Sequence, residues 1–297
     1  MQPKRISILG VGLLGGSIGL AAKQRIKDCT IAGYGHRRST LDTALHMGAL
    51  DEAYGQLAPA VLHADLVILC TPVGMFRPLL ADLAPLLSQH TIVTDVGSTK
   101  RSVVTAATEL LREPKRFVAS HPMAGSEKRG VEFARADLYD NALCILTPTP
   151  QTDPAAIQYV EQFWATLGMR TCQISPEEHD RRLADVSHLP HALAAALVAM
   201  QDEPSATLAG KGFHDMTRIA GGDGGLWRDI LLDNRDNVRQ SIERLKGQLD
   251  ALLALLDPAQ SDALRAWLDQ VAEKRQTHLR NQNPEDTGPR MNTNIHE

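Results

Sequence analysis

A short apolar run at residues 5–9 is followed at once by Gly10, Gly12 and Gly15 in the spacing G-x-G-x-x-G, and then by a helical pattern over 15–24. Strand, glycine turn and helix in that order leave few folds open. Gly10 allows the tight turn, and Gly12 lets the backbone approach a pyrophosphate. Gly15 lets the helix pack on the sheet, and the helix N-terminus attracts phosphate charge. Gly10, Gly12, Gly15 and the two leucines between them, Leu13 and Leu14, are therefore assigned to dinucleotide binding. The same stretch has a rival reading, because Lys4-Arg5 before apolar residues 6–22 looks like a signal peptide. Five glycines within those 17 residues count against a helical hydrophobic region. No other apolar stretch approaches the ~18 residues of a membrane span.

Beyond the motif, apolar runs at 30–34, 64–70, 91–95, 116–120, 143–147 and 171–174 read as strands, with helical patterns at 100–111 and 154–167. Alternation of this kind implies a mainly parallel sheet covered on both faces, a doubly wound α/β domain. After Ser175 the pattern turns helical, over 176–201, 234–256 and 258–279, with no convincing strand. The expected organisation is a nucleotide-binding domain over 1–175, an all-α domain over 176–280 and a disordered tail over 281–297. Two domains also suit the length, since 297 residues is about twice ~150. Leu245, Leu249, Leu252, Leu253 and Leu256 form a helical stripe, which is either core or a dimer seam.

Charge and composition exclude some partners. With 31 basic and 35 acidic residues the net charge is −4, and Phe, Trp and Tyr together number only 12. Neither suits a nucleic-acid binder. Four scattered cysteines make neither a zinc site nor a disulfide framework, so a reducing, cytoplasmic setting is expected.

The second strand of a dinucleotide fold normally ends in an acid that holds the ribose 2′-hydroxyl. Here it runs Tyr34-Gly35-His36-Arg37-Arg38-Ser39, with no acid. An acid would repel a 2′-phosphate, whereas Arg and Ser would bind one, so NADP is favoured over NAD. His36, Arg37, Arg38 and Ser39 are assigned to the cofactor. The competing view makes the arginines ordinary surface charges and leaves NAD open.

Groups at the carboxyl ends of strands face the nicotinamide in such a sheet. Thr71-Pro72, Ser98 and His121 stand there. Histidine is the usual proton acceptor near neutral pH, so His121 suits a hydroxyl that must lose its proton as hydride leaves. A histidine that merely caps a loop is the alternative. The second domain adds His179-Asp180, then His188 and His191 three residues apart, and Arg218, a natural carboxylate clamp unless it only pairs with Asp215. H-x-x-H without an acid on the same face is a poor zinc signature, and no metal is expected.

Taken together, GVGLLGGSIG, D-V-G-S-T-K at 95–100, S-H-P-M-A-G-S-E at 120–127, H-D at 179–180, S-H-L-P-H at 187–191, D-x-T-R-I-A at 215–220 and W-R-D at 227–229 resemble the prephenate and arogenate dehydrogenases of tyrosine biosynthesis. The ordered set spans about three-quarters of the chain. The resemblance implies an N-terminal Rossmann domain, a helical C-terminal dimerisation domain, a homodimer and a small-molecule substrate. It implies His121 as the catalytic histidine and Ser98 as a second catalytic group at the ring hydroxyl. It places Arg218 on a substrate carboxylate, and His191, Ser187, His179, Glu127, Asp215 and Trp227 around the pocket. The implied reaction takes hydride and carbon dioxide from prephenate to give 4-hydroxyphenylpyruvate. Arogenate, or both cyclohexadienols, is the alternative substrate.

Two departures stand out. Gly221-Gly222-Asp223-Gly224-Gly225 is richer in glycine than the resemblance suggests and is expected to loosen the pocket wall. No chorismate mutase segment precedes Gly10 and no room for an ACT domain follows Leu279, so domain-mediated feedback by tyrosine is expected to be weak. A hydroxyisobutyrate-type dehydrogenase would need a lysine on the first interdomain helix, and none occurs between Lys128 and Lys211. A non-enzymatic NADP-binding redox sensor would need neither His121 nor Arg218.

Overall fold

The computed structural model describes residues 2–126 and 128–282. The chain runs β1 (Arg5–Leu9), α1 (Leu13–Arg25), β2 (Thr30–Tyr34), α2 (Arg38–His46), β3 (Glu52–Tyr54), α3 (Leu57–Val61), β4 (Leu66–Leu69), α4 (Phe76–Leu83), β5 (Ile92–Asp95), α5 (Arg101–Leu110) and β6 (Phe117–Val118). These six strands form one parallel sheet in the order β3-β2-β1-β4-β5-β6. The order reverses between β1 and β4, and a crevice opens there beyond the carboxyl ends of the strands.

Alternate side chains explain why the strands are apolar throughout. Ile6, Ile8, Leu66 and Ile68 join one core with Ile18 of α1. Val67, Leu69 and Val93 join the other with Leu80 of α4 and Val103 of α5. Both faces are covered, so no polar alternation is needed.

The expected strand at 116–120 divides. Phe117–Val118 ends the first sheet, and β7 (Ser120–Pro122) opens a second. There β7 pairs antiparallel with β8 (Leu143–Leu146), and β8 pairs parallel with β9 (Arg170–Gln173), which follows α6 (Pro154–Thr166). Ser120 anchors the switch. Its hydroxyl donates to the Asp95 carbonyl at 2.6 Å and accepts from Trp164 Nε1 at 3.1 Å.

From Pro176 the described chain is helical. Ser175 caps α7 (Pro176–Leu183) by accepting from the Glu178 amide, with Pro176 at its start, acids in the first turn and arginines in the last. The expected single helix over 176–201 is broken by a π-turn at Ala184–His188 before α8 (Leu189–Ala199). Pro190 explains the break, since its ring lacks the N–H that would continue the ladder. The chain continues through α9 (Glu203–Ala206), α10 (Lys211–Thr217), a 3-10 turn at Arg218–Gly221, α11 (Gly224–Asp233), α12 (Arg235–Leu255) and α13 (Ser261–Gln282).

By its internal contacts the chain divides into two compact units, one ending at Arg239 and the next beginning at Gln240. In the second unit Leu249, Leu253 and Leu256 of the expected stripe stay exposed. The tail expected to be disordered lies outside the described residues from 283 onward. Among the described residues no helix is long and apolar enough to cross a membrane.

Candidate active site

At the end of β1, Gly10 takes φ +103° and donates its amide to the Tyr34 carbonyl at 2.9 Å. A Cβ there would lie 2.8 Å from the Cys70 backbone, so only glycine makes this turn. At Gly12, the N-cap of α1, a Cβ would meet nothing within 4 Å. That open approach leads to the unpaired amides of a helix whose first turn carries no acid.

The cradle opens into a cavity of about 710 Å³. Gly12, Leu13 and Leu14 line it, with Thr71-Pro72 after β4 and Gly97-Ser98 after β5. Thr71 Oγ1 is buried and has no hydrogen-bond partner among the described residues. An open glycine cradle, bare helix amides and an orphaned hydroxyl fit a dinucleotide. Gly15 lies behind the cradle, where a Cβ would strike the Gly10 carbonyl oxygen.

His36, Arg37, Arg38 and Ser39 are all exposed. Arg38 Nε is held by Asp42 at 2.9 Å, one turn along α2. Arg37, the N-cap of α2, is the member of the group that lines the cavity.

The opposite wall carries Arg218, Ile219, Gly222, Asp223 and Trp227, with Lys128 and Arg129 from the loop after β7. Asp223 is the one carboxylate on the described lining. It forms an ion pair with Arg129 and also accepts the Leu226 amide at the start of α11. Within the glycine-rich stretch expected to loosen this wall, Gly222 is closely packed, while a Cβ on Gly221 or Gly224 would meet nothing within 4 Å. A Cβ on Gly222 would stand 2.6 Å from Trp227 Nε1 and 3.2 Å from His191 Cε1. Trp227 in turn stacks on His191 with centroids 3.5 Å apart and planes 9° apart.

A chain of buried polar groups lies off the cavity lining. His121 on β7 places Nδ1 2.9 Å from Nε2 of His179, and His179 Nδ1 lies 2.8 Å from Asp180 Oδ1. Asp180 also accepts the amides of Lys100 at 2.8 Å and Arg101 at 3.0 Å, capping α5. Asn234 donates to the Asp180 carbonyl at 2.7 Å and lies 3.1 Å from His188 Nδ1. Lys100 and Asp95, both fully buried, form an ion pair, and Lys100 Nζ donates to the Ser120 carbonyl at 2.7 Å.

Burial, then the nearby His179, Lys100 and His188, pushes His121 well below the ordinary histidine value. Burial also lowers His179, against the pull of Asp180, takes His188 down to about 4 and lowers His191. Burial opposes ionisation of Asp180, but His179 and the Arg101 and Lys100 amides hold its carboxyl below the usual range. The arrangement is a neutral imidazole with a built proton network behind it.

The sequence-assigned residues fall into three groups. Ser98, Arg218 and Trp227 meet the cofactor cradle in one cavity. His121, His179 and His191 are buried and are not on its lining; His179 is fully buried behind His121, and His121 keeps 8% exposure. Ser187 is half-buried in the π-turn, and Asp215 is exposed and pairs with Lys211 on α10. Neither lines the cavity. Glu127 lies outside the described residues. Asn234, the close packing at Gly222 and the pairing of Asp223 with Arg129 escaped the sequence reading, which had taken the glycine stretch only as a loosened wall. No local pattern marks Asn234 or the Arg129–Asp223 pair, whose partners lie far away in the chain.

A doubly wound sheet with a glycine cradle, joined to a helical layer bearing histidines and an arginine, defines a nucleotide-binding dehydrogenase. Residues 18–173 match the family model for the prephenate dehydrogenase nucleotide-binding domain, and residues 175–270 that for the prephenate dehydrogenase dimerization domain. Prephenate dehydrogenase of Bacillus subtilis is 36% identical over 278 residues, covering 91% of this chain and 75% of the relative. The solved prephenate dehydrogenase of Aquifex aeolicus, in complex with hydroxyphenyl propionate and NAD+, is similar at TM-score 0.87 and 36% identity, covering 93% of this chain and 98% of that one. The solved arogenate dehydrogenase of Synechocystis is similar at TM-score 0.80 and 30% identity, covering 92% and 99%. The chain belongs to the prephenate dehydrogenase family of oxidoreductases.

Proposed function

We propose that the protein oxidatively decarboxylates prephenate to 4-hydroxyphenylpyruvate in tyrosine biosynthesis, with NADP+ the favoured acceptor. The observation that carries the substrate reading is the neutralised wall. Arg218 and Lys128 face the cavity, while its one described carboxylate, Asp223, is occupied by Arg129. Such a wall suits a dianion with a pyruvyl side chain better than one with an ammonium. Arogenate is the second reading, favoured by the presence of Asp223 and by the similarity to the Synechocystis enzyme.

Gly10, Gly12, Leu13, Leu14 and Gly15 would hold the dinucleotide at the N-terminus of α1, with Thr71 and Pro72 further along the cavity. Arg37 lines the cavity and would pair with a 2′-phosphate. When bound, the nicotinamide supplies the hydride acceptor. His121, kept neutral by burial, accepts the ring hydroxyl proton through its remaining exposed edge. Ser98 holds that hydroxyl, and Arg218 anchors a carboxylate so that the ring is oriented before reaction. His191 supports the pocket by stacking on Trp227, whereas His179 acts behind His121 rather than on substrate.

The same reading assigns residues 1–175 to the nucleotide and 176–280 to substrate binding and dimerisation. A homodimer is supported by the dimerization-domain match and by exposed Leu249, Leu253 and Leu256. Four free cysteines suit the cytoplasm. The test is formation of reduced cofactor from purified protein and a cyclohexadienol. No reduction with either prephenate or arogenate would overturn the proposal and return weight to a redox sensor.

A further inference from the structure

The proton network behind His121 ends on a carboxylate with a second duty. Asp180 Oδ1 receives both the Lys100 amide and His179 Nδ1, and Oδ2 receives the Arg101 amide. Those two amides open α5, a ten-residue helix. The helix terminus therefore stabilises the ionised carboxylate and fixes its orientation. An ionised carboxylate only accepts hydrogen bonds. The atom of His179 facing it must carry the proton, which leaves His179 Nε2 with a lone pair. That lone pair faces His121 Nδ1 at 2.9 Å, so His121 must carry its proton there.

We propose that Asp180 is a positioning residue that acts through His179 to lock His121 as the Nδ1–H tautomer, with Nε2 bare to accept the substrate proton. This rests on the reading of His121 as the base. Asn234 braces the arrangement by donating to the Asp180 carbonyl. When His121 Nε2 takes the hydroxyl proton, its Nδ1–H stays shared with His179, and Asp180 stabilises the cation across both rings. The charged or titratable groups facing the histidine pair are Asp180 on α7, His188 in the π-turn, Asp95 at the end of β5 and Lys100 at the N-cap of α5.

The test uses the full chain in two measurements. The first is 15N NMR of histidine-labelled wild-type protein near pH 8, with the signals assigned from His121→Asn and His179→Asn. Bare Nε2 on both rings is the expected result, and a protonated His121 Nε2 overturns the proposal. The second is the kinetics of Asp180→Asn, which keeps the size and loses the charge. The expected result is kcat lower by tenfold or more, substrate KM within threefold, cofactor binding retained, and the acid limb of kcat moved to lower pH. A kcat within twofold of wild type overturns it. If the variant does not fold, the wild-type shifts decide alone. A wild-type protein that oxidises no cyclohexadienol would sink the proposed function, while the shifts still report on the tautomers.

Discussion

Nδ1 of His121 lies 2.9 Å from Nε2 of His179, and both rings are buried. One nitrogen of His121 is thus committed inside the protein, and the other is left for chemistry. Replacing His121 by Asn is expected to lower kcat by roughly 10²–10⁴-fold, the usual contribution of a general base. Cofactor affinity should change little, because the nucleotide is assigned to Gly12, Leu13, Leu14, Arg37, Thr71 and Pro72 rather than to His121. Near-normal turnover in steady-state kinetics would remove His121 from the mechanism.

The depressed histidines set a pH dependence for stability. His121, His179, His188 and His191 all sit below the ordinary value of 6.5, with His188 at about 4. Between those pH values the unfolded chain binds more protons than the folded one. Stability is therefore full above about pH 6.5 and is lost as pH falls toward about 4. Calorimetry should show Tm lower at pH 5 than at pH 7.5. An unchanged Tm would mean that these rings are not held neutral.

Gly222 is required by close approach rather than by conformation. A Cβ there would press on Trp227 Nε1 at 2.6 Å and on His191 at 3.2 Å. Gly222→Ala should displace the stacked pair, with a local strain of about 1–3 kcal/mol. We expect kcat/KM for the cyclohexadienol to fall tenfold or more while the nucleotide KM holds. Unchanged kinetics would show that the stack does not shape the substrate pocket.

The two arginines after β2 should behave differently. Arg37 lines the cavity, whereas Arg38 is tied to Asp42. Arg37→Ala should raise KM for NADP+ on the order of tenfold, a loss of about 1.4 kcal/mol, and leave NAD+ nearly unaffected. Arg38→Ala should do less. Equal effects on both nucleotides would remove the 2′-phosphate from the account.

The Arg129–Asp223 ion pair on the cavity lining is predicted to influence substrate choice. Arg129→Gln frees the carboxylate, so the ratio of kcat/KM for arogenate to that for prephenate should rise severalfold. The direction follows from the ammonium of arogenate meeting an unneutralised Asp223. A constant ratio would mean that this pair does not sense the side chain.

Much of this architecture is legible before any coordinate. The glycine motif, the apolar strands and the change to helices after Ser175 follow from local spacing, and the six-stranded sheet is parallel and covered on both faces as those signals imply, whereas its strand order is not encoded in them. Glu52–Tyr54 was missed because three half-buried residues at a sheet edge carry no hydrophobic run. The π-turn was missed because the helical period continues through it, although Pro190 was a warning. At the site, residue type identified His121, Ser98 and Arg218 as candidates. It did not reveal that His179 stands behind His121 rather than on the cavity lining, or that Asp215 turns to Lys211. His121 and His179 are 58 residues apart, a relation that spacing does not encode, whereas Lys211 and Asp215 stand at i, i+4 on α10, a helix spacing the sequence did offer.

The most direct test is a four-way assay of purified protein with prephenate or arogenate and NADP+ or NAD+, read as absorbance of the reduced cofactor. The account predicts the highest kcat/KM for prephenate with NADP+. Activity confined to NAD+ would keep the family and refute the role given to Arg37. Preference for arogenate would refute the neutralised wall, and silence in all four combinations would contradict the enzymatic reading itself.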